Sequence, residues 1–270
     1  MPELPEIANL ARQMNAELPG KRIIEVSVRQ AKCLNVPVPE FSALMKGKTI
    51  GPVTSKGKWL FVKLMPEAWF LLNLGMGGDV LLHQPGEPLP EKHQVKLTFS
   101  DGASLSIRFW WFGYTHAVSS GDLQAHPMTA QLGVSPTDEA EFTYAAFCAL
   151  LAGRRGNIKS LLTDQKCIAG IGNVYIQDML FSARLHPARK IPDISGTERK
   201  ALFCAIRDSL KQATDLGGLA YEKDLYNLPG RLDAFRVGYR AGKPCPECGT
   251  PIEKIKTGTT ASYICPSCQK

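Results

Sequence analysis

The sequence predicts an α+β multidomain chain, and three observations carry that prediction. Short strand-like runs fill residues 22–119, helical patterns fill the stretch beyond 138, and four cysteines stand in two close pairs near the end. Residues 5–18 place Ile7, Leu10, Ala11, Met14 and Leu18 at helical intervals, and Pro19-Gly20 stops the run, so the chain opens on a helix. The runs IIEVSVR, KWLFVKL, WFLLNL, DVLLH, QVKLTF and SLSIRF then follow, separated by Gly, Pro, Asp and Ser. Strands at such regular spacing predict a β-sandwich or barrel, and this first domain is expected over residues 1–125. The turn-rich stretch 126–138 is expected to be a linker. From 139 to 240 the segments AEFTYAAFCALLAG, NIKSLLTDQ, NVYIQDMLFSARL and TERKALFCAIRDSLKQATDLG predict helices, the last capped by Thr197 and stopped by Gly217-Gly218.

Composition bounds the function. The 270 residues are 44% hydrophobic and 21% charged, which excludes wholesale disorder. No apolar run is long enough for a spanning helix, and the first ten residues hold Glu3 and Glu6 with no basic stretch before an apolar one. A cytoplasmic protein is therefore expected, neither secreted nor bound to a membrane. The net charge of +7 is unevenly spread. The first 150 residues carry 13 Lys and Arg against 14 Asp and Glu, and the rest carry 19 against 11. A basic second half is the asymmetry expected of a part that faces a polyanion.

The eight cysteines fall into two groups. Cys33, Cys148, Cys167 and Cys204 are scattered, the last three in apolar, helical-looking segments where buried free thiols are expected. Cys245-Pro-Glu-Cys248 and Cys265-Pro-Ser-Cys268 are two C-x-x-C knuckles sixteen residues apart. That spacing predicts one structural Zn2+ held by four thiolates, with a hairpin between the knuckles, over residues 241–270. The metal would stand in for a core that so short a segment cannot build.

Two further motifs carry chemistry. Met1-Pro2-Glu3-Leu4-Pro5-Glu6 is ordinary helix-start chemistry unless Met1 is removed, which a small second residue permits. Pro2 would then bear a secondary α-amine, and an α-amine titrates near pH ~8 against ~10.4 for lysine, leaving a nucleophilic fraction at neutral pH. Attack on a sugar C1′ gives an iminium that is cationic without a proton, an electron sink from which a 3′ phosphate can be eliminated. Glu3 can move the protons. The second motif, Gly170-Ile-Gly172-Asn173, opens a helix with backbone free to approach a phosphate, and Asn173 can add its amide.

The stretches PELPE at 2–6, SKGKWL at 55–60, LNLGMGG at 72–78, DQKCIAGIGNVYIQDMLFSARLHP at 164–187 and the cysteine ribbon together resemble the formamidopyrimidine-DNA glycosylase / endonuclease VIII family over essentially the full length. The resemblance implies a helix–two-turn–helix motif within the helical domain and a repair enzyme: a bifunctional glycosylase and AP lyase that removes oxidised bases. Its partner would be duplex DNA with damaged bases or abasic sites, and it would act as a monomer at the nucleoid. By the same resemblance Pro2 is the nucleophile, Glu3 its acid/base partner, and Glu6 a second acidic residue near the site. Lys58 holds the phosphate beside the lesion, Asn173 binds another phosphate, and Met76 fills the gap left by an everted nucleotide, replacing lost stacking.

Two positions depart from the family pattern. In Arg108-Phe-Trp-Trp111-Phe112-Gly113, Phe112 keeps an aromatic wedge, but Trp111 stands where an arginine pairs with the orphaned base. An indole stacks yet cannot read a cytosine edge as a guanidinium does. In the zinc hairpin Thr260 takes the place of a phosphate-gripping arginine, offering a hydroxyl and no charge. These departures keep open a damaged-DNA-binding paralogue with weak excision as the alternative. The segment 217–243 matches the family's lesion-recognition loop only loosely.

Overall fold

A computed structural model describes residues 2–270; Met1, whose removal the proline chemistry needs, lies outside the described residues. The chain forms two compact units.

Among the described residues the first unit comprises 2–131 and 216–232. Helix α1 (Leu4–Glu17) turns Ile7, Leu10 and Met14 inward, as their spacing predicts. Two four-stranded antiparallel sheets follow. One has the order β1 (Ile23–Val28), β6 (Val95–Phe99), β7 (Ser104–Arg108), β5 (Asp79–His83). The other runs β2 (Thr49–Lys56), β3 (Trp59–Met65), β4 (Ala68–Asn73), β8 (Tyr114–Ser119). Strand β6 shows the alternation that makes a two-faced sheet: Val95, Leu97 and Phe99 are buried, with Lys96 and Thr98 between them only half-buried. One core joins both sheets to α1 through Leu60, Val62, Phe70, Leu97, Ile107 and Met14. Each such side chain contributes roughly 1.5–3 kcal/mol on burial.

Three elements of this unit escape the hydrophobic pattern. Helix α2 (Val38–Met45) has only eight residues and begins at prolines, so too few apolar positions repeat to reveal its period. Strand β2 contains Gly51-Pro52, which argues against a strand, but the register with β3 shifts between Ile50 and Val53, so the proline sits in a bulge. Strand β8 buries His116 beside Thr115, a polar face that no apolar alternation marks.

The segment 216–232 belongs to this unit rather than to the helices that precede it in sequence. Leu225 is fully buried in the sandwich core, and its carbonyl accepts from Leu82 N at 3.0 Å. Gln13 of α1 grips the same turn twice, accepting from Leu225 N at 3.0 Å and donating to Asp224 at 2.8 Å.

The second unit comprises residues 132–215 and 233–270. It contains α3 (Tyr144–Leu151), α4 (Ile158–Thr163), α5 (Ile176–Ser182), α6 (Gly196–Asp215) and a hairpin of β9 (Glu253–Thr257) and β10 (Thr260–Ile264). The ribbon is continuous with the helical body: Phe181 of α5 packs with Val237, Cys245, Ile252 and Cys265. Phe142, Phe147 and Phe203 form an aromatic cluster under α3 and α6. Two expectations are corrected here. Thr197 does not cap α6; Ser195 does, exchanging bonds with Glu198 (Ser195 N to Glu198 Oε2 2.7 Å, Glu198 N to Ser195 Oγ 3.3 Å), because the helix begins at Gly196, two residues before the start that a Thr197 cap would set. Cys204 is exposed and Cys148 half-buried, since each lies off the apolar face of its helix; only Cys167 is buried as expected of all three. Among the described residues no helix is long and apolar enough to cross a membrane.

Candidate active site and nucleic-acid interface

In the first unit the amino-terminal residues are held from below. Pro2, Glu3 and Glu6 are buried, with Glu3 fully removed from solvent. Glu6 uses both carboxylate oxygens: Oε2 accepts from Glu3 N at 2.7 Å and Oε1 from Leu219 N at 3.0 Å. One side chain thus fixes the start of α1 and the 216–232 segment together. Gly218 (φ +91°) allows this approach, because a Cβ there would lie 2.6 Å from Glu6 Oε1. Lys58, at the tight turn between β2 and β3, reaches back to Glu3 with Nζ 3.7 Å from Oε1. Pro2, Glu3 and Glu6 are therefore buried together at the start of α1, and half-buried Lys58 reaches Glu3 from the β2–β3 turn.

Sequence reasoning missed Glu222. It is buried, and burial pushes its carboxyl above the ordinary value, with the Glu3 and Asp79 carboxylates adding to the rise. Its only sequence signal is a charged residue in the loosely matching segment.

Asn73, at the end of β4, links Lys58 to the next loop. It donates to Lys58 O at 3.0 Å and accepts from Gly75 N at 3.0 Å. Met76 follows and is 47% exposed on the loop between β4 and β5, so it is not a core methionine. That loop packs on the segment after β7: a Cβ on Gly75 (φ +53°) would fall 1.6 Å from Phe112 O, and one on Gly77 would meet the Trp110 ring at 3.2 Å. Met76, Trp110, Trp111 and Phe112 are all exposed, Trp111 at 83%. Four large apolar side chains thus point outward from two adjoining loops. Trp110 was not singled out in the sequence, yet it is 71% exposed and covers Gly77.

Behind these loops Trp59 stacks on Tyr114 at 5.9 Å, and both rings contact His116. His116 Nδ1 lies 2.8 Å from His126 Nε2, whose Nδ1 is 2.8 Å from Thr129 Oγ1. Burial, with the neighbouring imidazole adding to it, lowers His116 to about 4; burial also lowers His126. Both rings are neutral near pH 7.

In the second unit Gln165 staples the glycine loop before α5, accepting from Gly170 N at 2.8 Å and donating to Ile171 O at 2.8 Å. Asn173, half-buried at the end of that loop, takes two bonds from buried Gln177, at its carbonyl (2.7 Å) and at Oδ1 (3.2 Å). Gln177 Oε1 in turn accepts from Tyr263 N of β10 at 3.0 Å. Thr260 is exposed at the start of β10. The sequence also concealed Lys159: it lies on α4 and is buried beneath the hairpin.

The four ribbon sulfurs lie within 4.8 Å of one another. Cys245–Cys268 and Cys248–Cys265 are 3.9 and 3.5 Å apart, bracketing the ~3.8 Å edge of a tetrahedron built on ~2.3 Å Zn–S bonds. These residues fit a structural Zn2+.

Family profiles match along the chain in the same order as this geometry. Residues 1–109 match the formamidopyrimidine-DNA glycosylase N-terminal domain, 132–223 its H2TH domain, and 242–270 a zinc finger found in FPG and IleRS. Formamidopyrimidine-DNA glycosylases of Halalkalibacterium halodurans and Methylococcus capsulatus are 36% and 35% identical, each over the whole of both chains. The chain belongs to the formamidopyrimidine-DNA glycosylase family. Among solved structures, the Lactococcus lactis Fpg (MutM) in complex with an N7-benzyl-Fapy-dG DNA covers all of both chains at 25% identity with a TM-score of 0.91. The same L. lactis protein with a THF-DNA and an inhibitor gives the same values. The β-sandwich, the helix–two-turn–helix unit and the four-cysteine ribbon of this glycosylase-family chain are thereby accounted for as one architecture.

Proposed function

We propose that the chain is a base-excision repair glycosylase with AP lyase activity, acting on oxidised bases in duplex DNA. The observation that supports this reading is the buried amino end, where Lys58 Nζ stands 3.7 Å from the carboxylate of Glu3, the residue next to Pro2. Once Met1 is removed, the Pro2 nitrogen attacks C1′ of the everted nucleotide. The glycosidic bond breaks, and the base leaves with its electron pair and a proton. The C1′–O4′ bond then opens, O4′ taking a proton from Glu3, and leaves an iminium at C1′; loss of the C2′ proton to a base breaks the C3′–O bond and releases the 3′ phosphate with the electron pair. Glu3, immobilised and shielded from bulk water, gives and takes the protons. Lys58 holds the phosphate beside the reacting sugar, and Glu6 keeps the proline and the 216–232 segment in place.

Met76 and Phe112 enter the space the nucleotide leaves, with Trp111 against the orphaned base. Asn173 and Thr260 take phosphates from the second unit. Cys245, Cys248, Cys265 and Cys268 would hold the zinc ion, which shapes the hairpin bearing Thr260. With cellular DNA as its substrate, the chain works in the cytoplasm, at the nucleoid.

Borohydride trapping tests the reading. Protein that begins at proline should become covalently attached to an abasic-site duplex, and Pro2→Gly should lose the adduct. Intact DNA binding with no adduct would instead favour the damaged-DNA-binding alternative that Trp111 and Thr260 motivate.

A further inference from the structure

Trp110 and Trp111 are the two most exposed large apolar side chains among the described residues, yet the loop that carries them is pinned at both ends. On one side Gln94 holds the backbone of Phe109 twice, accepting from its N at 2.8 Å and donating to its O at 3.1 Å. The Phe109 ring is buried and lies so close to Gly113 that a Cβ there would fall 2.0 Å from it. On the other side Phe112 O closes on Gly75 and the Trp110 ring on Gly77. The indoles are thus held out in water by a built loop, next to exposed Met76 and Phe112. Adjoining apolar side chains kept in water in this way mark a binding surface.

The chemistry of the ligand follows from what this surface lacks. Residues 109–113 are uncharged, and the arginine just before them is already committed. Arg108 Nε donates to Asp79 Oδ2 at 3.1 Å and Nη2 donates to the same oxygen, tying the end of β7 to the start of β5. The loop therefore offers no guanidinium fork to a base edge or a phosphate. Each indole offers a flat π face and one N–H. Every nucleobase has a matching face, so a ring of this kind takes any unpaired base by stacking. The surface also continues into the site: Asn73 bonds both Lys58 O and Gly75 N, and Gly75 lies against Phe112 O.

We infer that Trp110 and Trp111 form a stacking platform for unpaired nucleobases that stands in for the opposite strand, so that the chain also takes lesions in single-stranded and bubble DNA. In a duplex the bases beside an everted nucleotide are held by their complements. In a single strand nothing holds them, and the two indoles supply the missing stack. The inference rests on the reading of the chain as a DNA glycosylase and widens its substrate class beyond the paired duplex.

The test is equilibrium binding of the zinc-loaded full chain to one oligonucleotide with a tetrahydrofuran abasic analogue, presented as a single strand, in an unpaired bubble and in full duplex. Affinity for the single strand and the bubble should lie within about tenfold of that for the duplex. Trp110→Ala and Trp111→Ala should each weaken single-strand binding roughly 5- to 100-fold, the range of one base–aromatic stack, and weaken duplex binding less. Trp111→Phe should keep most of the affinity and Trp111→Leu should not, which separates stacking from apolar bulk. These losses should be the same at low and high salt, because a stack releases no counterions. Single-strand binding should also quench indole fluorescence, and the double alanine variant should lose the quench. A single-strand deficit larger than that tenfold would overturn the inference and leave the proposed function standing. Equal losses on single strand and duplex would overturn it too, as would unchanged affinity in both alanine variants, which would give the loop to a protein partner instead. Failure of the wild-type chain to bind any of the three DNAs would overturn the proposed function and this inference with it.

Discussion

The Lys58 ammonium stands 3.7 Å from Glu3 Oε1, and the Glu3 side chain has no contact with solvent. A charge pair this secluded is held by its surroundings rather than by its own modest Coulomb gain. Asn73 fixes the Lys58 carbonyl, and the Glu6 carboxylate fixes the Glu3 amide. Lys58→Met should therefore slow base release on the order of 100-fold, the size of one positioned catalytic contact. Cooperative thermal unfolding should survive, because Lys58 stands at a turn outside the sandwich core. Single-turnover excision alongside a melting curve checks both halves; an unchanged rate would remove Lys58 from the site.

Trp111, which the family resemblance sets where an arginine is expected, is exposed on the loop after β7 beside Trp110. A bidentate arginine–base pair is worth about 1–3 kcal/mol of discrimination, whereas an indole stacks and offers one N–H donor with no bidentate fork. Excision of one lesion should then vary by less than roughly fivefold among duplexes placing A, C, G or T opposite it. A strong preference for one opposite base would show that another residue reads that edge.

The neutral His116–His126 pair gives stability a defined pH dependence. His116 titrates at about 4 in the fold against an ordinary 6.5, because burial disfavours its charged form. Between those values the unfolded chain binds the proton and the folded chain does not, so stability is retained above pH 6.5 and lost as pH falls toward 4. The loss from this group is on the order of 2–3 kcal/mol. Urea unfolding at several pH values should show it, and His116→Gln should flatten that slope. Since His116 backs the Trp59–Tyr114 stack beside Lys58, acidification should loosen the Lys58 turn before the rest of the sandwich.

Much of this was legible in the residues, for reasons that differ by element. Helix α1 and strands such as β6 announce themselves because one face is buried and the period survives. Strand β2 does not, because Pro52 occupies a bulge that only the pairing with β3 reveals. Motif chemistry pointed to Pro2, Glu3 and the four cysteines, and the family resemblance pointed to Lys58. Glu222 and Lys159 were invisible because a charged residue reads as surface until its partners are known. Lys159 sits one position after buried Ile158, and its acceptors lie about a hundred residues further along the chain. The 216–232 segment returns to the sandwich through Leu225 and Gln13, a long-range docking that local pattern does not encode.

Zinc removal provides the sharpest separation of structure from chemistry. The hairpin β9–β10 has a single pair of strands and a small apolar cluster around Phe181 and Val237. A two-stranded hairpin is marginal alone, so the four thiolates and their ion should supply most of its order. Without the ion, the acceptors of Lys159 at Thr260, Ala261 and Ser262 would lose their fixed geometry, and Gln177 would lose its hold on Tyr263. Chelation should therefore abolish hydrogen-exchange protection across 253–264 and weaken binding to abasic-analogue DNA at least tenfold, while protection of the sandwich strands is retained. Re-addition of zinc should restore both together. Full DNA affinity in protein shown by metal analysis to be zinc-free would detach the hairpin from the phosphate contact.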